Sequence, residues 1–198
     1  MAIFLLRHAE SVSNAARVVQ LPDVPLSPTG REQAERLARR LAADGVARIL
    51  SSDLRRAVET AEALHRATGA PLALDPGLQE RNYGDVRGVA YAELDVDIFG
   101  PDYAPPGGET WAAFHARVDA AWARVVATAA TTPGHLAVVT HGLVCQAVLD
   151  RHLHAPFAAR PSGWANTCVT IVDDVPSRRV RLLACTAHLG AAPAGGAV

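Results

Sequence analysis

Short apolar runs alternate with stretches of helical periodicity along this chain, and that alternation limits its fold more than any other feature. The segments AIFLL (2–6), VARIL (46–50), PLAL (71–74) and LAVVT (136–140) each read as a buried strand. Between the first two, Thr29 and Glu32 form a capping-box pair, and Ala34, Leu37, Ala38 and Leu41 recur at helical spacing, which predicts a helix to Asp44 closed by Gly45. Ser51-Ser52-Asp53 reads as the cap of a second helix, through Ala57, Ala61 and Leu64 to about Gly69. Trp111, Phe114, Val118, Trp122 and Val125 mark one face of a long helix, and a short one through Val148 follows LAVVT. CVTIVDD (168–174) and RVRLLAC (179–185) predict two closing strands in a hairpin around Pro176 and Ser177. Strand and helix in this order imply an α/β fold with a mainly parallel sheet.

A chain of 198 residues is long enough for one well-filled core and short for two. The expected organisation is a single domain over 1–189 and a disordered tail, GAAPAGGAV, over 190–198. Lysine and arginine number 19 against 20 acidic residues, so a net charge of −1 gives no reason to expect nucleic-acid or membrane partners, and any anion site must be local. Cys145, Cys168 and Cys185 lack CxxC or zinc spacing and read as reduced core thiols. Met1 leads directly into AIFLLRH, too short to span a membrane and without the basic start of a signal peptide, so the cytoplasm is the expected compartment.

In an open α/β sheet, ligands bind beyond the carboxyl ends of the strands. Three predicted strands end in polar groups of one theme: Arg7-His8, then Ser51-Ser52 with Arg55 and Arg56, then Thr140-His141-Gly142. Two histidines and several arginines around one crevice suit a phosphate dianion, because guanidinium groups bind its oxygens in pairs and a neutral imidazole can attack phosphorus. His8 and His141 are both candidates for that nucleophile on this ground. Residues 75–108, rich in glycine and proline with a helical piece near Tyr91–Phe99, form an irregular insert of the kind that carries function.

These pieces resemble, in order, the motifs of the histidine phosphatase superfamily, the group that includes the cofactor-dependent phosphoglycerate mutases. LLRHAESVSN is similar to its Arg-His signature, SSDLRRAVETA to its SSPLxRAxxTA segment, and LQERNYGDVRG to LxExxFGxxxG. PPGGET is similar to its PxGES turn and VVTHGLV to VSHGxxI, so the resemblance covers nearly the whole chain. The fold it implies is a three-layer sandwich, a central sheet flanked by helices.

The resemblance makes His8 the residue that takes the phosphoryl group and Glu80 the proton donor to the leaving alcohol. It places Arg7, Arg56 and His141 on the phosphoryl oxygens, with Asn14 and Gly142 as further substrate-binding positions, and Arg55 at a variable position. No metal and no cofactor is required. Where mutases carry a polar residue and a glycine against the phosphoglycerate, this chain has Val19 and Gln20. That departure and the short chain favour hydrolysis over transfer. The reading is therefore a metal-independent acid or neutral phosphomonoesterase acting on a small phosphorylated metabolite through a phosphohistidine. A cofactor-dependent phosphoglycerate mutase and a non-catalytic phosphate-ligand binder are the alternatives. Tyr91, Tyr103, Trp164 and Asn166 are candidates for the leaving-group side, with core packing an equal explanation for Trp164, and the apolar helices leave room for a homodimer.

Overall fold

The computed structural model describes residues 1–155, 161–173 and 178–190. Its elements are β1 (Ala2–Arg7), α1 (Val12–Ala16), α2 (Pro28–Leu41), β2 (Val46–Ser51), α3 (Arg55–Thr68), β3 (Leu72–Leu74), α4 (Trp111–Ala130), β4 (His135–Thr140), α5 (Gly142–His152), β5 (Val169–Asp173) and β6 (Val180–Cys185). The described strands form one sheet of six in the order β3-β2-β4-β1-β5-β6. β1 to β4 run parallel, β5 pairs antiparallel with β1, and β6 antiparallel with β5. The expected mainly parallel α/β sheet is present. No described helix is long and apolar enough to cross a membrane.

The uninterrupted apolar character of β1 follows from its place in the middle of the sheet. Alternate residues of a strand face opposite sides, so Ile3 and Leu5 join a core with Phe114, Val118 and Trp122 of α4 and Leu149 of α5. Phe4 and Leu6 join the opposite core, with Leu37 and Leu41 of α2 and Leu64 of α3. Helices thus cover both faces, giving the three layers.

Several local boundaries differ from expectation. Ser27, not Thr29, caps α2: its hydroxyl accepts from the Gly30 amide at 2.9 Å, and Pro28 takes the first helical position, where a missing N–H costs nothing. α2 also stops at Leu41, and Gly45, at φ 69°, belongs to the turn into β2. α3 starts after Leu54 with no side-chain cap; Ser52 stands two positions before that residue, and its hydroxyl accepts from the Leu54 amide instead of an amide of the first turn. α5 continues past Val148 to His152. α1 has no counterpart among the elements expected from the sequence; five residues without apolar periodicity give little signal, yet Ser11 and Asn14 close a capping box on it. The turn at Pro176 and Ser177, Pro156–Arg160 and 191–198 of the tail lie outside the described residues.

The insert after β3 contains three single 3-10 turns, Pro76–Leu78, Gly84–Val86 and Tyr91–Glu93, and the helix expected toward Phe99 is only the last of these. Two arginines hold it. Buried Arg81 donates to the carbonyls of Glu109 (3.1 Å), Ile98 (3.3 Å) and Tyr103 (2.5 Å) and lies 3.8 Å from the Trp111 ring centroid. Arg117 on α4 grips the Glu109 carboxylate with two bonds of 2.7 Å and donates to the carbonyls of Gly77, Gln79 and Glu80. Glu109 in turn accepts from the Asn82 amide at 2.9 Å.

Gly84 lies where the two ends of this insert meet. Its φ is +53°, and an added Cβ would fall 1.9 Å from the Pro106 carbonyl oxygen. Gly84→Ala is expected to lower stability by about 2 kcal/mol or more, from backbone strain and steric clash together. Urea titration of the two proteins reads this, and an unchanged midpoint and slope contradicts it.

Candidate active site

The site is built on strand register. β1 and β4 are parallel neighbours with Arg7 opposite Thr140, so the next residue of each chain, His8 and His141, leaves the sheet at the same end. The His8 amide donates to the Thr140 carbonyl at 2.8 Å, and the imidazole centroids lie 5.0 Å apart. β2 ends beside them: the Ser52 amide bonds the Val139 carbonyl at 2.9 Å, and its hydroxyl lies 2.8 Å from His141 Nε2. Arg56 enters from the first turn of α3 and donates to the Leu21 carbonyl at 3.2 Å. Arg7 donates through Nη1 to the Trp164 carbonyl. All five side chains belong to residues no more than 2 % exposed.

Glu80 comes from the insert. One carboxylate oxygen accepts from the Arg81 amide (3.0 Å) and the other from the Leu143 amide (3.2 Å) in the first turn of α5. Arg7, Arg56, Glu80 and Gly142 line a common cleft of about 240 Å³, with Arg87, Tyr91 and Trp164 among its other walls.

Burial and charge set the protonation states. His8 lies well below the ordinary imidazole range, chiefly through desolvation, with Arg56 and Arg7 adding to it. Desolvation lowers His141 in the same way, followed by Arg56, His8 and Arg7. Both rings are therefore neutral near pH 7. Desolvation lowers Arg56 to about 10, which leaves it charged. Glu80 is raised by burial, against its two amide bonds and the neighbouring Arg56 and Arg7.

The His8 tautomer follows from its surroundings. Nδ1 lies 2.7 Å from the Ala9 carbonyl, which can only accept, so Nδ1 carries the proton and Nε2 the lone pair. Arg56 Nε and His141 Nδ1 are buried with no hydrogen-bond partner among the described residues, two polar atoms that an anion's oxygens could satisfy.

Other expected residues are placed differently. Like His8 and His141, Asn14 is not among the residues that line the cleft; its Oδ1 accepts from the Ser11 amide at 3.2 Å in the α1 cap. Tyr91 and Trp164 are walls, and Trp164 is also a core residue, whereas Tyr103 lies under Arg81 and Asn166 bonds the His8 carbonyl at 3.1 Å. Arg55 is a surface residue paired with Glu59 at 2.8 Å. Cys145 and Cys168 are buried free thiols, but Cys185 is half-buried beside Arg40, which corrects its assignment to the core. The supports Arg81 and Arg117 and the cleft residue Arg87 were not anticipated. Arg81 and Arg87 stand inside the segment that contains Glu80, whereas nothing in the sequence links Arg117 to carbonyls some forty residues earlier.

Comparison with known proteins gives this geometry a family. The model of the histidine phosphatase superfamily, branch 1, matches residues 3–185. The chain belongs to that superfamily. It is 33 % identical over 188 residues to phosphoglycerate mutase-like protein 4 of Arabidopsis thaliana, covering 85 % of this chain and 77 % of that protein. It is 30 % identical over 200 residues to a broad-specificity phosphatase of Saccharomyces cerevisiae, covering 95 % and 87 %. Among solved structures, a mycobacterial glucosyl-3-phosphoglycerate phosphatase complexed with VO3 superposes with a TM-score of 0.80 at 28 % identity, over 93 % of this chain and 99 % of that one. YhfR of Bacillus stearothermophilus gives 0.82 at 29 % identity, over 95 % and 98 %. This histidine phosphatase therefore shares its fold with both phosphatases and mutase-like proteins.

The neutral histidines make stability depend on pH. Their folded values lie below the ordinary 6.5, so the unfolded chain binds more protons as pH falls below that point. The stability they contribute is complete above 6.5 and declines below it, by up to about 1.4 kcal/mol per pH unit for each ring. Denaturant titrations from pH 7.5 to 5 should show this fall, and His8→Asn with His141→Asn should flatten it. An equal slope in the double variant refutes the assignment of neutral rings.

Proposed function

We propose that this protein is a metal-independent acid or neutral phosphomonoesterase that hydrolyses a small phosphorylated metabolite through a phosphohistidine on His8. The observation that carries this reading is the His8 ring itself: Nδ1 is fixed by the Ala9 carbonyl, and Nε2 keeps its lone pair in a setting that holds the ring neutral.

In the first step Nε2 attacks phosphorus in line, the N–P bond forms, the P–O bond to the alcohol breaks, and Glu80 gives that oxygen its proton. In the second, Glu80 takes a proton from water, the water oxygen bonds phosphorus, and the N–P bond breaks to release inorganic phosphate and restore His8. Arg7 and Arg56 stay charged and stabilise the transferring oxygens. His141 Nδ1, the buried atom without a partner, is the further group on them. The Gly142 amide at the start of α5 is suited to the same anion. Asn14 contributes by capping α1.

Hydrolysis rather than transfer is supported by Val19, buried with Tyr83 and Ile98, and by Gln20, whose Oε1 accepts from the Ser11 hydroxyl at 2.6 Å; both stand in the cleft wall. A pure binder has no need of both a neutral imidazole with a lone-pair nitrogen and a raised carboxyl around the same two arginines, Arg7 and Arg56. The near-balanced charge supports a small-molecule substrate over a nucleic acid or a membrane surface.

The protonation states fix the sign of the pH dependence. Attack needs neutral His8, available above its lowered value; departure needs protonated Glu80, available below its raised value. A bell-shaped kcat/KM in the acid-to-neutral range is expected. Phosphate release from a panel of phosphomonoesters should survive EDTA and vanish in His8→Ala. Glu80→Gln should lose about 100-fold or more in kcat for esters with poor leaving groups, together with the high-pH limb. Equal release by wild type and His8→Ala refutes the phosphohistidine route.

A further inference from the structure

Of the cations in the cleft wall, Arg87 alone has no protein group assigned to it. Arg81 is taken up by three carbonyls and the Trp111 ring, Arg56 bonds the Leu21 carbonyl, and Arg7 the Trp164 carbonyl. For the half-buried Arg87 side chain, no hydrogen bond or ion pair is found among the described residues. The acid nearest to it in electrostatic effect is Glu109, already held by both arms of Arg117.

The Arg87 backbone is firmly placed. Its amide closes the Gly84–Val86 turn on the Gly84 carbonyl at 3.2 Å, the Asp85 amide bonds the Pro106 carbonyl at 2.9 Å, and the Gly88 amide bonds the Val19 carbonyl at 2.8 Å. The next strut, from the Val19 amide to the Val89 carbonyl at 2.9 Å, ties the same segment to the loop after α1. Such a guanidinium is partly desolvated, fixed at its base, and part of the cleft wall. Partial burial without a partner is costly for a cation and is offset when an anion arrives.

Arg7 and Arg56 reach the cleft from the strand-end side, where the two histidines stand. Arg87 enters from the insert, as does Glu80, the proton donor to the leaving oxygen. We propose that Arg87 binds a second anionic group, a carboxylate or another phosphate, on the leaving portion of the substrate, so that the preferred substrates are phosphomonoesters carrying two anionic groups. This assignment rests on the phosphatase reading and narrows it to a substrate class.

A matched pair of esters tests it. 3-Phosphoglycerate and glycerol 3-phosphate differ by a carboxylate in place of a hydroxymethyl group. Wild type should prefer the first in kcat/KM by about tenfold or more, the range expected of one charge-assisted hydrogen-bonded contact. Arg87→Gln should remove most of that ratio through KM, and Arg87→Lys should restore part of it. Fructose 1,6-bisphosphate against fructose 6-phosphate asks the same question of a second phosphate, and loss of preference in either pair supports the assignment and names the group. A ratio unchanged by Arg87→Gln in both pairs overturns it, as does an equal loss on both members, which would place Arg87 on the transferred phosphoryl group. Calorimetric binding of the four esters to His8→Ala and to His8→Ala with Arg87→Gln reads the same ratios without turnover. A wild-type protein that releases phosphate from none of them and from no ester of the wider panel overturns the phosphatase reading, while the binding ratios still decide the role of Arg87.

Discussion

The parallel pairing of β1 with β4, with Arg7 opposite Thr140, is the constraint from which the site follows. Both strands are buried on both faces, and a slip of one residue would exchange the faces of every side chain in β1. Ile3 and Leu5 would then meet the α2 and α3 layer, and Phe4 and Leu6 the α4 and α5 layer. The two cores thus hold the register, and the register sets His8 beside His141 at the sheet's carboxyl end. A hydrophobic pattern far from any ligand determines a polar geometry.

That geometry is held at a cost to the fold. Two guanidinium groups and two imidazoles occupy nearly solvent-free positions, and the neutrality of the rings results from burial next to Arg7 and Arg56. Carbonyls of Leu21 and Trp164 take part of the cationic charge, but Arg56 Nε and His141 Nδ1 are left buried without partners among the described residues. Groups desolvated in advance need little reorganisation when charge develops in the reaction, which is the physical basis of electrostatic preorganisation. Stability given up in the unliganded fold is recovered on binding an anion, so a phosphate-like ligand should favour the folded state by mass action.

The strand-end half of this arrangement was legible in the sequence. AIFLL and LAVVT announce buried strands, and both end on histidine, so the sheet rule alone places His8 and His141 together. The insert was legible only in its motif. Glu80 could be named by resemblance, but nothing local says that Arg81 would stack on Trp111, or that Arg117 would reach back to the Gly77 and Gln79 carbonyls. These contacts join residues distant in sequence and satisfy backbone groups that have no helix or sheet to pair with. Asn14 shows the opposite limit: the same side chain suits a phosphate ligand and a helix cap, and its Oδ1 accepts the Ser11 amide in the cap while the amide nitrogen takes no part in that bond.

The two halves of the cleft consequently obey different rules. The strand-end half is fixed by strand register and could not shift without disturbing both cores. The insert half hangs on an irregular segment whose backbone is satisfied by the side chains of Arg81, Arg117 and Glu109. A change among the residues it points into the cleft, Arg87 and Tyr91 among them, leaves those supports untouched. Glu80 spans both halves: its carboxylate is bonded by an amide of α5 on one side and an amide of the insert on the other. Glu80 is thereby tied to the sheet through α5, while the rest of its segment is held by separate supports. One fold can in this way keep a single phosphoryl chemistry and change the alcohol it releases.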